Sequence, residues 1–374
     1  MTRALRRWEA GSAVLVAALG LALLVWLVPT APLTGDGAHY VAFARSGLES
    51  GAASTWHARR VLAPWLVHAL PLDPLPGFHL LTIASLFVAT LLTWGSTRAL
   101  GVAGGRALAS IPLLLGTWAV APNLREYALV DPLAWALVAG LWLTTVQRRW
   151  WLAALLGSVG ALARETVAIA AVAAAAAAWP PGAGRRGAAR AAAVAAPSLG
   201  VVAALMLAVP GTGIGDYATS WWANGLTSLG AGRGLFLLFA SFGALWLLAP
   251  RGYRCLPDHA RRASLVFGLA AVAAPFVGSP ERMAEVVFPA VVAAAVLATA
   301  AQPTAWVWAI AVANCLFVAR TGGDAPIPRL VSVGALGVAC ILALAVYVLP
   351  RTAISGRTVS ASGTPADSGT ARLL

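Results

Sequence analysis

The stretch 150-WWLAALLGSVGALARETVAIAAVAAAAAAW-179 is either one long tilted helix or two short ones folded back at Arg164-Glu165. The choice inverts everything downstream. Each arm of about 14 apolar residues reaches roughly 21 Å, short of a hydrocarbon core of about 30 Å. A single helix strands Arg164 in mid-membrane, whereas a hairpin places it with Glu165 at a turn.

Arginine placement decides between the two. All 26 basic residues are arginine. Apolar runs bounded by Arg, Pro and Gly mark about twelve candidate spans. They are 11–29, 77–97, 107–121, 131–147, 150–163, 166–179, 191–209, 234–249, 263–278, 285–301, 305–319 and 330–349. With the hairpin, 17 arginines lie on the side of the N-terminus and 9 opposite. With one helix the division is 11 against 14, the reverse of the excess expected of cytoplasmic loops. The expectation is therefore a hairpin, both termini cytoplasmic, and one transmembrane unit over 1–350. It carries a first extracytoplasmic loop at 30–76 and a second at 211–232, and ends in a disordered cytoplasmic tail, 351–374.

Composition agrees. Of 374 residues, 60% are hydrophobic and 10% charged, which excludes a soluble globular protein. The net charge of +13 does not imply a nucleic-acid partner, because the arginines punctuate apolar runs and no nucleic-acid motif accompanies them. Cys255, Cys315 and Cys340 form no CxxC pair. The run Gly11–Val28 exceeds a signal-peptide core and reads as a retained first span. No Walker or other nucleotide-binding glycine motif is present.

Under this topology only Glu9, Asp258 and Asp367 are cytoplasmic, and the other ten acids are external. Positive-inside sorting constrains arginine and largely ignores acids, so a polar site outside is the better explanation. Asp36, in Gly35-Asp36-Gly37-Ala38-His39-Tyr40, reads as an N-cap for a helix over 38–48 and also as a general base at the membrane surface. The segment 56–68 reads as an interfacial helix whose Arg59 and Arg60 face headgroups or grip a lipid-linked phosphate. Asp131-Pro132 reads as an N-cap and first helical position, and Arg125-Glu126 as a solvated pair or a binding pair. Arg164 and Glu165 lie below the outer surface, either paired with each other or functional. Arg282 faces a cavity or pairs with Glu285, and Glu281 stands beside it. Trp221 and Trp222 read as an aromatic belt. His39, His57, His68 and His79 lack metal-ligand spacing.

Taken together these residues resemble the GT-C superfamily of integral-membrane glycosyltransferases, especially bacterial polyprenyl-phosphate-sugar-dependent, mannosyltransferase-like members. The likeness rests on Gly35-Asp36-Gly37-Ala38-His39-Tyr40, Arg59-Arg60-Val61-Leu62-Ala63-Pro64-Trp65, Asp131-Pro132-Leu133, Ala163-Arg164-Glu165-Thr166 and Pro280-Glu281-Arg282, in that order. It implies an all-α, polytopic GT-C-like bundle with interfacial helices in its first loop. It also implies a polyprenyl-phosphate sugar donor, a glycan or glycolipid acceptor and inversion at the sugar carbon. Asp36 takes the place of the base. Arg59 or Arg60, Arg164 and Arg282 take the place of phosphate-neutralising groups, with His39, Tyr40, Arg125, Glu126, Asp131, Glu165 and Glu281 lining substrate. No cofactor is assigned from these residues, and a divalent metal stays open. The neighbours of Asp36 are glycines where many relatives carry a second acid.

A transporter or flippase of a lipid-linked sugar is the alternative. It would place charges near the bilayer midplane on related halves, and no repeat is visible here. A non-catalytic scaffold would not need Arg164 and Glu165 at depth. The arginine-only, alanine-rich make-up suggests a GC-rich bacterial genome and a role in the cell envelope.

Overall fold

A computed structural model describes residues 3–33, 35–47, 56–102, 104–118, 120–209, 228–274 and 285–349. Among them the chain is helical, without strands. The elements are α1 (Arg3–Leu27), α2 (Gly35–Ser46), a 3-10 turn (Trp56–Arg59), α3 (Leu62–His68), α4 (Pro74–Ala99), α5 (Gly104–Leu108), α6 (Ser110–Leu115) and α7 (Val120–Arg125). Then come α8 (Asp131–Val146), α9 (Trp150–Ala163), α10 (Val167–Ala178), α11 (Gly184–Ala208), α12 (Ser228–Phe242), α13 (Leu245–Tyr253) and α14 (Asp258–Ala273). A 3-10 turn (Glu285–Val287), α15 (Phe288–Ala298), α16 (Thr304–Gly323) and α17 (Arg329–Val348) complete the order.

Every expected span has a helical counterpart, and the hairpin at Arg164-Glu165 is present. The chain is a multi-pass membrane protein. Its helices are unequal: among the described residues five are long and apolar enough to cross alone, and α12 and α13, bent by 75°, pass the same test only as a pair. The run expected at 107–121 is broken into α5, α6 and α7, and α8, α9, α10 and α15 are short. Short helices are tolerated where protein, not lipid, surrounds their ends, as at the turn that buries Ala163, Arg164 and Val167. The second external loop falls outside the described residues over 211–227, and its last part, 228–232, opens α12. The tail 351–374 also lies outside them.

Local chemistry sets the boundaries that matter. The Asp73 carboxylate accepts from Leu75 N at 3.1 Å, and Pro74 takes the first helical position, so α4 starts there. α10 is almost all alanine and packs against α8, α9, α11 and α14. Small side chains permit that closeness; a Cβ on Gly160 would stand 2.4 Å from Val167 Cγ1. At the α12–α13 break, fully buried Asn314 of α16 accepts from Ala244 N at 3.2 Å. Its Nδ2 donates to Gly116 O at 2.7 Å, so one amide satisfies two interruptions of the helical ladder.

The first loop is folded. α2 buries Gly37, Tyr40, Val41 and Ala44, spaced as one helical face. With Ala63, Val67, Phe78, Ala128 and Val130 they form a small separate core that seats α2 and α3 on the start of α4 and α8.

Candidate active site

Gly35, at φ +49°, turns the chain into α2, a conformation that glycine adopts without strain. Asp36 follows in the first turn, half-buried. Its Oδ1 lies 3.1 Å from His57 Nε2, and His57 is itself buried. The His57 ring stacks on His39, with centroids 4.4 Å apart, and meets Tyr40 edge-on at 5.3 Å. The Asp36 carboxylate is thus held by a histidine fixed between two rings.

The next link is Arg60, 2% exposed, in the break between the 3-10 turn and α3. Its Nη1 donates to Tyr40 Oη at 3.0 Å. Its Nε and Nη2 grip Glu165 at 3.0 and 2.6 Å, a two-point fork across 105 residues of sequence. Burial pushes the Glu165 carboxyl up, but the Arg60 charge and hydrogen bonds, with Arg164, outweigh it and hold it at about 2. Burial raises the Tyr40 phenol to about 12 against the pull of Arg60. Beside Glu165, Arg164 Nη1 donates to Asp131 Oδ1 in an ion pair whose side chains are 4% and 1% exposed.

Asp36, His39, Tyr40, Arg60, Glu165, Arg164 and Asp131 are thereby brought to one end of the bundle. Glu126 joins them: a Cβ on Gly37 would lie 3.1 Å from its Oε1, so a second carboxylate reaches the first turn of α2 from another part of the chain. Arg125 turns away to the rim, where Nη1 pairs with Asp324 beyond α16. Arg59 is half-buried, and its Nε is buried with no hydrogen-bond partner among the described residues. Glu281 and Arg282 lie outside the described residues. No group of three or more metal-binding side chains occurs among those described.

Several plain readings of the sequence are corrected. Asp131 is not an N-cap; Val130 holds that position without a side-chain bond, and the carboxylate is spent on Arg164. Asp36 is a first-turn residue bonded to His57, and Arg60 faces protein instead of headgroups. Arg164 and Glu165 do not pair with each other: one arm goes to α8, the other to the first loop. Arg125 likewise has its ion pair elsewhere, with Asp324. The role of His57 was not read from the sequence. The available signal was its place in Trp56-His57-Ala58-Arg59-Arg60, less than one turn before Arg60.

Beside the cluster, Phe43, Val61, Leu62, Pro64, Trp65 and Leu162 line an apolar crevice of about 380 Å³, with Trp65 exposed at its edge.

The architecture is similar to that of ArnT from Cupriavidus metallidurans, solved bound to undecaprenyl phosphate. The two superpose with a TM-score of 0.51 at 15% identity, over 90% of this chain and 74% of that one. The all-helical, polytopic membrane fold expected from the sequence is therefore shown, and it is shared with that structure. No protein-family model and no curated protein matches the chain.

Proposed function

We propose that the protein is a GT-C-type membrane glycosyltransferase. It would move a sugar, mannose or another hexose or pentose, from a polyprenyl-phosphate donor to an envelope glycan or glycolipid on the extracytoplasmic face. The observation that carries this reading is the assembly of Asp36, the guanidiniums and the apolar crevice at one end of the bundle. A carboxylate beside cations beside a lipid-sized groove suits a donor whose head is a phosphate and whose tail is a prenyl chain. The fold shared with ArnT, solved with such a lipid phosphate, supports it.

In this reading Asp36 takes the proton of the acceptor hydroxyl. The oxygen attacks the anomeric carbon opposite the phosphate, the carbon–oxygen bond to phosphate breaks, and its electron pair leaves with the polyprenyl phosphate. Arg59 meets the charge that develops there, because Arg60 and Arg164 are already committed to Glu165 and Asp131. These two arginines instead hold the floor of the site. His39, Tyr40 and Glu126 line the approach, Arg125 its rim, and Arg282 with Glu281 is proposed to close it from the start of the late span.

Asp36→Asn should reduce transfer from a polyprenyl-phosphate sugar in liposomes by about 10²- to 10⁴-fold with donor binding retained. Unchanged turnover removes Asp36 as the base. Movement of a labelled lipid-linked sugar across the bilayer without covalent transfer replaces the enzyme by a flippase.

A further inference from the structure

At the other end of the same helices, about 24 Å along α8 from Asp131, lies a second polar cavity. It has a volume of about 260 Å³ and is lined by Arg148, Trp150, Arg190, Asp258, His259 and Arg262, among others. The end of α8, the start of α9, the α10–α11 connection and the start of α14 meet there.

Three guanidiniums face one carboxylate, and Asp258 is already paired with Arg261. Arg148 occupies the residue after the α8 cap at φ +59°, a left-handed position that suits glycine and strains arginine. His259 holds it: Nε2 bonds to Val146 O at 3.0 Å, which fixes the proton there and turns the Nδ1 lone pair to Arg148 Nη2, 3.4 Å away. The histidine is therefore a neutral brace that leaves the other Arg148 N–H groups uncommitted among the described residues. Arg262 ties down the last carbonyls of α10 through Nε to Ala176 O at 3.1 Å and Nη2 to Ala177 O at 2.9 Å. Its Nη1 is uncommitted among the described residues. Arg190 is exposed on α11, whose outer surface is apolar, with Leu199 and Leu207 open.

We propose that this cavity binds a phosphate oxyanion, carried either by an anionic lipid headgroup or by a soluble phosphate. N–H donors of Arg148, Arg190 and Arg262 Nη1, from three elements lining one cavity, suit a tetrahedral anion more specifically than a diffuse attraction to the membrane surface. The site is independent of the glycosyltransferase reading and needs no turnover to be seen.

The full chain is purified in detergent, and retention of phosphatidylglycerol is measured by native mass spectrometry. In parallel, inorganic phosphate is titrated against the thermal midpoint. Arg148→Gln/Arg190→Gln should weaken binding by about tenfold or more, the equivalent of one lost charge-assisted hydrogen bond. Arg185→Gln/Arg186→Gln removes equal charge from exposed positions outside the cavity and should leave binding unchanged. Arg148→Gly removes the guanidinium while relieving the backbone, so its loss of binding cannot be ascribed to misfolding. Retention of the lipid without a response to phosphate assigns a headgroup, and a response to phosphate assigns a soluble anion. Binding by neither, or equal losses in both double variants, overturns the proposal.

Discussion

His57 fixes the Asp36 carboxylate from outside its own helix. If that contact orients the base, His57→Phe should lower kcat about 10- to 100-fold while leaving the donor KM nearly unchanged, since misplacement of a reacting group acts on the chemical step. A change confined to KM would instead make His57 a binding residue. Tyr40 supplies a pH expectation. Its folded pKa is raised from 10.0 to about 12, so any stability it lends is complete below pH 10 and fades as pH rises toward 12. An alkaline limb in the rate below pH 10 should therefore survive Tyr40→Phe. Gly37, with no Cβ, lets the Glu126 carboxylate come close to the first turn of α2.

Between elements, buried ion pairs do the fastening. Removing one partner of the Arg164–Asp131 pair leaves an uncompensated charge, so Arg164→Met alone should cost about 3–5 kcal/mol, seen as a lowered thermal midpoint. Arg164→Met/Asp131→Leu should recover most of that loss; if it recovers transfer as well, the pair has no part in the chemistry. Arg60→Lys should be nearly as harmful as Arg60→Met, because an ammonium cannot reproduce the fork on Glu165. Asn314→Leu should cost about 2–4 kcal/mol by orphaning Ala244 N–H and Gly116 C=O at the two breaks. These pairings mark where sequence reading stopped. Helix positions and the Arg164-Glu165 turn were legible because hydropathy and arginine spacing are local signals. The partners were not, because Arg60 and Glu165 are 105 residues apart and Arg164 and Asp131 33. The N-cap preference of Asp131 was overridden by a charge that only the folded chain supplies.

For the molecule as a whole, the polar groups divide between two ends: the Asp36 cluster at one, the Arg148 cavity at the other. The arginine bias predicts a cytoplasmic second end, and Cys255, exposed between α13 and α14, is a native reporter for testing it. A membrane-impermeant maleimide should leave Cys255 unlabelled in intact cells and label it after permeabilisation; labelling from outside would reverse the topology. The residues that the structure gathers around Asp36 and Arg60 were legible singly, whereas their connectivity needed the fold. The fork between Arg60 and Glu165 also has a consequence for biosynthesis. Its guanidinium emerges from the ribosome 105 residues before its carboxylate, so the first loop cannot complete this contact until the hairpin has been made. A polypeptide released before residue 165 would carry an uncapped cation where the finished protein has none exposed. Such fragments offer membrane quality control a ready mark for destruction.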